Sequence, residues 1–384
     1  MLDRRRFQQV LLGTAATTAW GGGGECGLQA APRASFAPAE PEEDVFAYLQ
    51  RTAGGFQLER YQQLLGAANE FKEGDESVGV AAPDEASRQI ARTLLYHTKL
   101  RDIDGQPPWS DELYRYALQS RQTIDANNGE AFPSGSLTMG ELKQWLLRSE
   151  PQVIRVGMKS LSSDVIGCVV KLMSNAELIA IGAKVFNPLP GSKIGAPGYL
   201  GARIQPNSPT DNVHDIRWQV FNAWSYAVGD VLLGTNPVSS APTSVLAVER
   251  ALQELLVTFD IADAMPHCVL SHIDVQAEVE ASAPGSTELW FQSIAGCDTA
   301  NATFDIDIAK MRRYAAARTG RYGLYFETGQ GADLTNGHAH GFDMVLHESR
   351  KYGFARSLTQ EVANARRMVG ALDGAWVHLN DVAG

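Results

Sequence analysis

Short apolar runs that stop at a polar residue and give way to a helical pattern recur along the second half of the chain. The clearest is Leu324-Tyr325-Phe326-Glu327-Thr328-Gly329-Gln330-Gly331, an apolar stretch that ends at a carboxylate and then at glycines. This predicts a buried strand that delivers an acid to its mouth, followed by a turn in which glycine gives access to positive φ. The same grammar recurs at Tyr199 to Pro206, which carries Arg203 and Gln205, and at Val228 to Pro237, which carries Asn236. It recurs again at His267 to His272 and at Leu289 to Ile294, which carries Gln292. Helical patterns run from Asp211 to Ala227, Val245 to Phe259, Val275 to Ala283 and Phe304 to Ala317. Two further helices, around Met344 to Phe354 and Thr359 to Leu372, precede a last strand at Trp376 to Asn380. Strand and helix thus alternate six times, a pattern that calls for parallel strands joined by crossovers and covered by helices.

Upstream, from Glu43 to about Phe186, the periodicity is helical and interrupted. Val45, Tyr48 and Leu49 share a face, as do Tyr61, Leu64 and Leu65, and Asp84 is placed to cap a helix through Ala91, Leu94 and Leu95. No catalytic constellation stands out there. The chain therefore divides into a leader and tether at 1–42, a mostly helical region at 43–186 and a βα domain at 187–384. In the leader, Arg4-Arg5-Arg6-Phe7 precedes a short, weakly apolar stretch from Val10 to Ala16, and Gly21 to Pro41 is rich in Gly, Ala and Pro. These are the marks of a twin-arginine export signal and tether, which predicts export to a periplasm; a disordered basic tail on a cytoplasmic protein is the rival reading. The apolar stretch is too short to span a bilayer, and no other segment approaches the roughly 20 apolar residues required.

Composition narrows the classes. With 44 acidic against 33 basic residues, the net charge of −11 offers no basic footprint for nucleic acid or anionic lipid. The four cysteines, Cys26, Cys168, Cys268 and Cys297, are scattered, form no Cys-x-x-Cys pair and read as buried free thiols. A doubly wound dinucleotide fold would carry a G-x-G-x-x-G turn after its first strand, and none is present. The expected architecture is an α/β fold, a (β/α)8 TIM-type barrel with polar groups at the carboxyl ends of its strands, preceded by the helical region. About six βα units fall within this chain, so the last two strands of such a barrel are missing from it.

The motifs also carry a resemblance. Ala202-Arg203-Ile204-Gln205-Pro206-Asn207, Gly229-Asp230 with Gly234-Thr235-Asn236-Pro237, Phe291-Gln292-Ser293-Ile294, and Tyr325-Phe326-Glu327-Thr328-Gly329-Gln330-Gly331 resemble, in order, the large subunit of ethanolamine ammonia-lyase. Supporting matches include Ala68-Asn69-Glu70, Ser174-Asn175-Ala176 and Tyr352-Gly353 with Ala355-Arg356, and the similarity runs from about Glu43 to the end. The resemblance implies a barrel enzyme that uses adenosylcobalamin to convert ethanolamine to acetaldehyde and ammonia. It also implies a small-subunit partner and an assembly with several copies of the large subunit. By resemblance Pro237, Phe291, Gln292 and Ser293 lie near the corrin, and Thr335 occupies a further family position where serine is more usual. The missing strands bring another substrate-binding carboxylate in the family, so this chain is expected to be inactive alone.

The side chains suit that task on their own physics. A small cation bearing a hydroxyl needs one fixed negative charge, which Glu327 supplies from a strand mouth as a charge-assisted hydrogen bond. Strand alternation puts Arg203 and Gln205 on one face, with Arg203 free to polarise the substrate oxygen and Gln205 a neutral acceptor. Asn236 is placed to bond the same hydroxyl.

Each assignment has a plainer rival. Arg203 and Glu327 pair as a structural bridge, Asn236 forms a turn before Pro237, and Gln292 and Ser293 are satisfied strand-end polars. His338-x-His340 reads as loop rather than metal site, and His272 as a hydrogen-bonded histidine rather than a base. A Schiff-base aldolase needs a strand-end lysine, whereas Lys193, Lys310 and Lys351 fall in a loop or on helices. The remaining alternative is an exported, catalytically inactive barrel homologue that binds a small amine or a corrinoid.

Overall fold

The computed structural model describes residues 36–128, 134–185, 196–199, 201–329, 343–371 and 376–382. The leader motif, Cys26, the 187–195 linker, Thr335, His338 and His340 lie outside the described residues. Among the described residues, the first half holds the helices α1 (Val45–Ala53), α2 (Leu58–Ala67), α3 (Glu73–Ser77), α4 (Glu85–His97), α5 (Leu100–Gly105), α6 (Glu112–Asn128), α7 (Met139–Arg148), α8 (Pro151–Gly157), α9 (Ser163–Val170) and α10 (Asn175–Gly182). Their starts are written in the sequence. Asp44 accepts from the Phe46 and Ala47 amides, Asp84 from Ser87, and Thr138 with Glu141 and Ser174 with Glu177 close capping boxes on α7 and α10. Apolar stripes from α1, α2, α4, α7 and α9 meet in one core that includes Tyr61, Leu94, Met139 and Val165.

The second half alternates. After α11 (Val213–Ser225) come β1 (Leu233–Thr235), α12 (Pro242–Thr258), β2 (His267–Val269), α13 (Ile273–Ser282), β3 (Trp290–Ser293), α14 (Asp298–Thr303), α15 (Ile308–Ala317), β4 (Tyr322–Gly329), α16 (Met344–Met368) and β5 (Trp376–Val382). β1 pairs in parallel with β2, and β3, β4 and β5 form a second parallel sheet in that order. This is an α/β architecture with small parallel sheets. No closed barrel is present among the described residues. No backbone ladder joins β2 to β3 there, although the Cys268 thiol reaches the Leu289 carbonyl at 3.1 Å. No described helix is long and apolar enough to cross a membrane.

Three expectations change. The strand expected at Tyr199 to Pro206 is reduced to a single parallel bridge, Ile204 to Leu233. The helix expected from Phe304 to Ala317 starts only at Ile308, because Asp305 adopts a left-handed conformation (φ 55°) and Asp307 caps a new start through the Lys310 amide. The two helices expected after Met344 are one, α16, of 25 residues. Its middle reads as polar, but Arg350, Lys351 and Ser357 are buried and paired rather than solvated.

Buried charge ties α16 to the N-terminal helices. Asp343 caps α16 through the Leu346 amide, Asp75 of α3 accepts from the Met344 amide at 2.7 Å, and Lys171 lies 2.9 Å from Asp343. Burial, with Asp343 beside it, raises the Asp75 carboxyl to about 6. Further along, Arg350 makes two 2.7 Å contacts to Asp164 of α9 and donates to the Trp109 carbonyl. Removing one member of such a buried pair leaves an uncompensated charge. Asp164→Ala is expected to lower unfolding free energy by about 3–5 kcal/mol, read from denaturant midpoints at constant m.

Candidate active site

The two faces of the sheets differ in chemistry. Trp290, Leu324, Phe326, Val377 and Leu379 point toward the helices and pack with α15 and α16. Leu289, Phe291, Tyr325 and Trp376 point the other way, with Leu232, Cys268 and Leu270 from the first sheet. On that second face the parallel register stacks side chains in layers. Phe291, Tyr325 and His378 are in register, and the next layer toward the carboxyl ends is Ser293, Glu327 and Asn380. A polar layer therefore sits directly over an aromatic one, with Tyr325 set edge-on to both Phe291 (5.3 Å) and His378 (4.7 Å).

Arg203 reaches this face from the segment beside β1. Its Nη1 lies 3.6 Å from Glu327 Oε1, its Nη2 donates to Gln205 Oε1, and its guanidinium stands 5.6 Å from the centre of the Tyr325 ring. Room for it is made by Gly234, where a Cβ would fall 3.3 Å from Arg203 Cδ and 2.9 Å from Leu232 Cδ1. The pair with Glu327 is held open. Nη1 is buried and makes no hydrogen bond among the described residues, whereas Arg350 with Asp164 and Arg51 with Glu43 close to 2.7 Å. Asn380 donates weakly to Glu327 Oε1 at 3.4 Å, and the buried Tyr325 hydroxyl has no partner among the described residues.

The structure thus brings Arg203, Gln205 and Glu327 together and adds Tyr325, His378 and Asn380. Those three were legible only as alternation, two residues before Glu327 on its own strand and at every second place in Trp376 to Asn380. Asn236 is exposed just past β1, where its amide donates to Asn207 Oδ1 at 3.4 Å, and Pro237 follows half-buried. Phe291 belongs to the aromatic layer and Ser293 to the polar one. Gln292 points to the opposite face, where its Oε1 accepts from the Ile273 amide and its Nε2 donates to the Ser293 carbonyl. Thr335 falls outside the described residues.

A second group, His272, Asp274 and Asp305, has the donors of a metal site. Its capacity is already used. The His272 ring accepts from the Asp274 amide through Nδ1 and bonds the Phe304 carbonyl through Nε2. The Lys310 ammonium stands 3.0 Å from Asp274 and 3.4 Å from Asp305, supplying the cation there.

Electrostatics of the main site turn on His378. Burial, together with the nearby Arg203 cation, pushes its imidazole down to about 4. The ring is neutral at pH 7, so the charges across the polar layer are Arg203 and Glu327. Because the folded value lies below the unfolded one near 6.5, the folded state resists protonation: its stability is full above about pH 6.5 and falls as pH drops toward 4. His378→Phe is expected to flatten that acid limb by on the order of 2 kcal/mol at pH 4, read as unfolding free energy between pH 7 and 4.

Comparison with known proteins adds an independent line. The family model described as Ethanolamine ammonia lyase large subunit (EutB) matches residues 56–384. The ethanolamine ammonia-lyase large subunit of Escherichia coli (strain K12) is 32% identical over 322 residues, covering 80% of this chain and 69% of that protein. The protein of the same name from Salmonella typhimurium (strain LT2) is 32% identical over 314 residues, covering 78% of this chain and 67% of its own length.

Proposed function

The chain belongs to the ethanolamine ammonia-lyase large-subunit family, and from that premise we propose that it binds ethanolamine between Arg203 and Glu327 as part of an adenosylcobalamin-dependent lyase that releases acetaldehyde and ammonia. The observation that carries this reading is the open pair. An arginine and a glutamate 3.6 Å apart, with a guanidinium nitrogen buried and unbonded, present one anionic and one cationic end to a ligand that is a cation at one end and an alcohol at the other. That guanidinium nitrogen keeps its donor capacity for a ligand.

In this reading Glu327 holds the ammonium through a charge-assisted hydrogen bond, and Asn380 fixes the orientation of its carboxylate. Arg203 Nη1 donates to the hydroxyl oxygen and supports negative charge developing there as the carbon becomes a carbonyl. Gln205 holds the guanidinium in plane through its carbonyl oxygen and keeps its amide N–H groups for the ligand. Asn236 lies at the neighbouring strand end and is assigned to the same hydroxyl. The aromatic layer beneath closes the floor to water, and neutral His378 adds no charge to compete for the ammonium. We also propose the (β/α)8 barrel of the sequence reading as the complete architecture into which these sheets fit.

Beside the charged pair, Ser293 and Asn236 offer neutral hydroxyl and amide groups next to Pro237, a donor set that suits a macrocycle edged with amides. When bound, adenosylcobalamin supplies the radical that starts hydrogen removal from the hydroxyl-bearing carbon. Ser293, Pro237, Asn236 and the aromatic edge of Phe291 are the residues assigned to hold it. Gln292 supports that rim from behind, and Thr335 keeps its assignment from the resemblance alone. A family small subunit is the proposed partner, in an assembly with several large subunits.

The leader favours a second reading, an exported homologue that binds a small amine or corrinoid without turnover, and fractionation of cells producing the full chain separates periplasmic from cytoplasmic protein. The activity test combines the chain, supplied with the strands that complete the proposed barrel, with a family small subunit, adenosylcobalamin and ethanolamine without oxygen. Acetaldehyde release with a cob(II)alamin and organic-radical signal by paramagnetic resonance is expected, and Glu327→Gln is expected to weaken ethanolamine binding roughly 10- to 100-fold. Bound cofactor with no radical and no product would refute the lyase.

A further inference from the structure

The turn that follows β3, residues 294–297, is pinned at three points. The Ile294 amide donates to the carbonyl of Glu327 itself at 3.1 Å. Asn301 embraces Ala295, accepting from its amide at 2.8 Å and donating to its carbonyl at 3.1 Å. The third point comes from α16: the Gly296 amide donates to His347 Nε2 at 3.0 Å. A backbone N–H only donates, so Nε2 carries its lone pair, and the buried ring holds its proton on Nδ1. The approach is too close for any side chain on the turn. A Cβ at Gly296 would fall 2.1 Å from the His347 carbonyl oxygen and 2.8 Å from its ring.

The same stripe of α16 carries the other ties. Asp343, His347 and Arg350 follow at i, i+4 and i+7, so they leave the helix on one side. The first and last are fixed by Lys171 and Asp164 of the N-terminal half. His347 stands between these two anchored charges. Its nitrogen is thus held at a set height against the turn, and the turn holds Ser293 on one side and the backbone of Glu327 on the other.

We infer that His347 is a positioning residue for the polar rim: its Nε2 lone pair sets the β3–α14 turn, and through it the placing of Ser293 and Glu327 toward the ligand. The clamp itself is geometry. Its consequence for ligand rests on the proposed corrinoid reading.

The test uses the full chain and three forms: wild type, His347→Leu, which has no acceptor, and His347→Gln, whose carbonyl oxygen is an acceptor at similar reach. Amide exchange is followed peptide by peptide, and cyanocobalamin binding is titrated by absorbance. In the leucine form, exchange across 294–297 is expected to speed up about tenfold and the cyanocobalamin dissociation constant to rise about tenfold, the scale of one lost buried hydrogen bond. The glutamine form is expected to restore both, and exchange in α1 is expected to stay unchanged in all three. Unchanged exchange in the turn, or identical behaviour of the leucine and glutamine forms, overturns the proposal. If the wild type binds no cyanocobalamin, the corrinoid reading fails while the exchange comparison still decides the clamp. Should the leucine form not fold, nitrogen NMR of the wild-type imidazole decides: an unprotonated Nε2 supports the clamp, and a proton on Nε2 overturns it.

Discussion

An arginine and a glutamate that approach across a parallel array without closing are an unfinished electrostatic arrangement. The cost of partly burying Arg203 and Glu327 is recovered only if their remaining valences are met, and the guanidinium nitrogen facing Oε1 is not met by the described protein. The buried Arg350 closes on Asp164 at 2.7 Å, while its own Nη1 stays 3.6 Å from Asp111. The Arg203–Glu327 pair is kept apart because each partner is committed elsewhere, Arg203 to Gln205 and to the Tyr325 face, Glu327 to Asn380. The rest of the site follows from that restraint. The aromatic layer excludes water from beneath the pair, which strengthens its field, and burial keeps His378 from adding a second cation.

Much of this was legible in order along the chain. Helix starts follow from side-chain oxygens at Asp84, Thr138 and Ser174, and the one-face relation of Arg203 and Gln205 follows from period-two alternation alone. That Glu327 lies near the end of a buried strand is written in three apolar and aromatic residues before it, Leu324 to Phe326, and the glycine two places after it. What could not be read depends on contacts between distant segments. The unity of α16 required knowing that the expected gap at 355–358 is largely buried against other elements, with the Ser357 hydroxyl turned back to the Gly353 carbonyl. The break before Ile308 hangs on a single left-handed aspartate, Asp305, which periodicity does not report.

The site shows the same division. Residue type and spacing identify groups able to hold an amino alcohol, but register decides which of them share a face. Tyr325, His378 and Asn380 come into view only once β4 and β5 pair with Glu327 opposite Asn380. Gln292 illustrates the converse. It sits between Phe291 and Ser293 in an attractive motif, yet alternation turns its amide to the helix side, where it caps the start of α13 through the Ile273 amide. A motif therefore names a segment, and the pleat selects which of its side chains meets a ligand.

The N-terminal helices, which carry no catalytic pattern of their own, are tied to the second half of the chain through α16. That helix begins fifteen residues after Gly329 at the mouth of β4 and leads into β5, so along the chain it joins the strand bearing Glu327 to the strand bearing Asn380. The register of those two side chains is set by the β4–β5 ladder, in which Glu327 stands opposite Asn380, and α16 packs on the helix side of that sheet. Asp75 and Lys171 hold its first turn, Asp164 holds its second, and both ties are buried, where opposite charges are least screened. The helical region is therefore better understood as the frame that holds α16 in place than as an appendage to the domain that carries the chemistry.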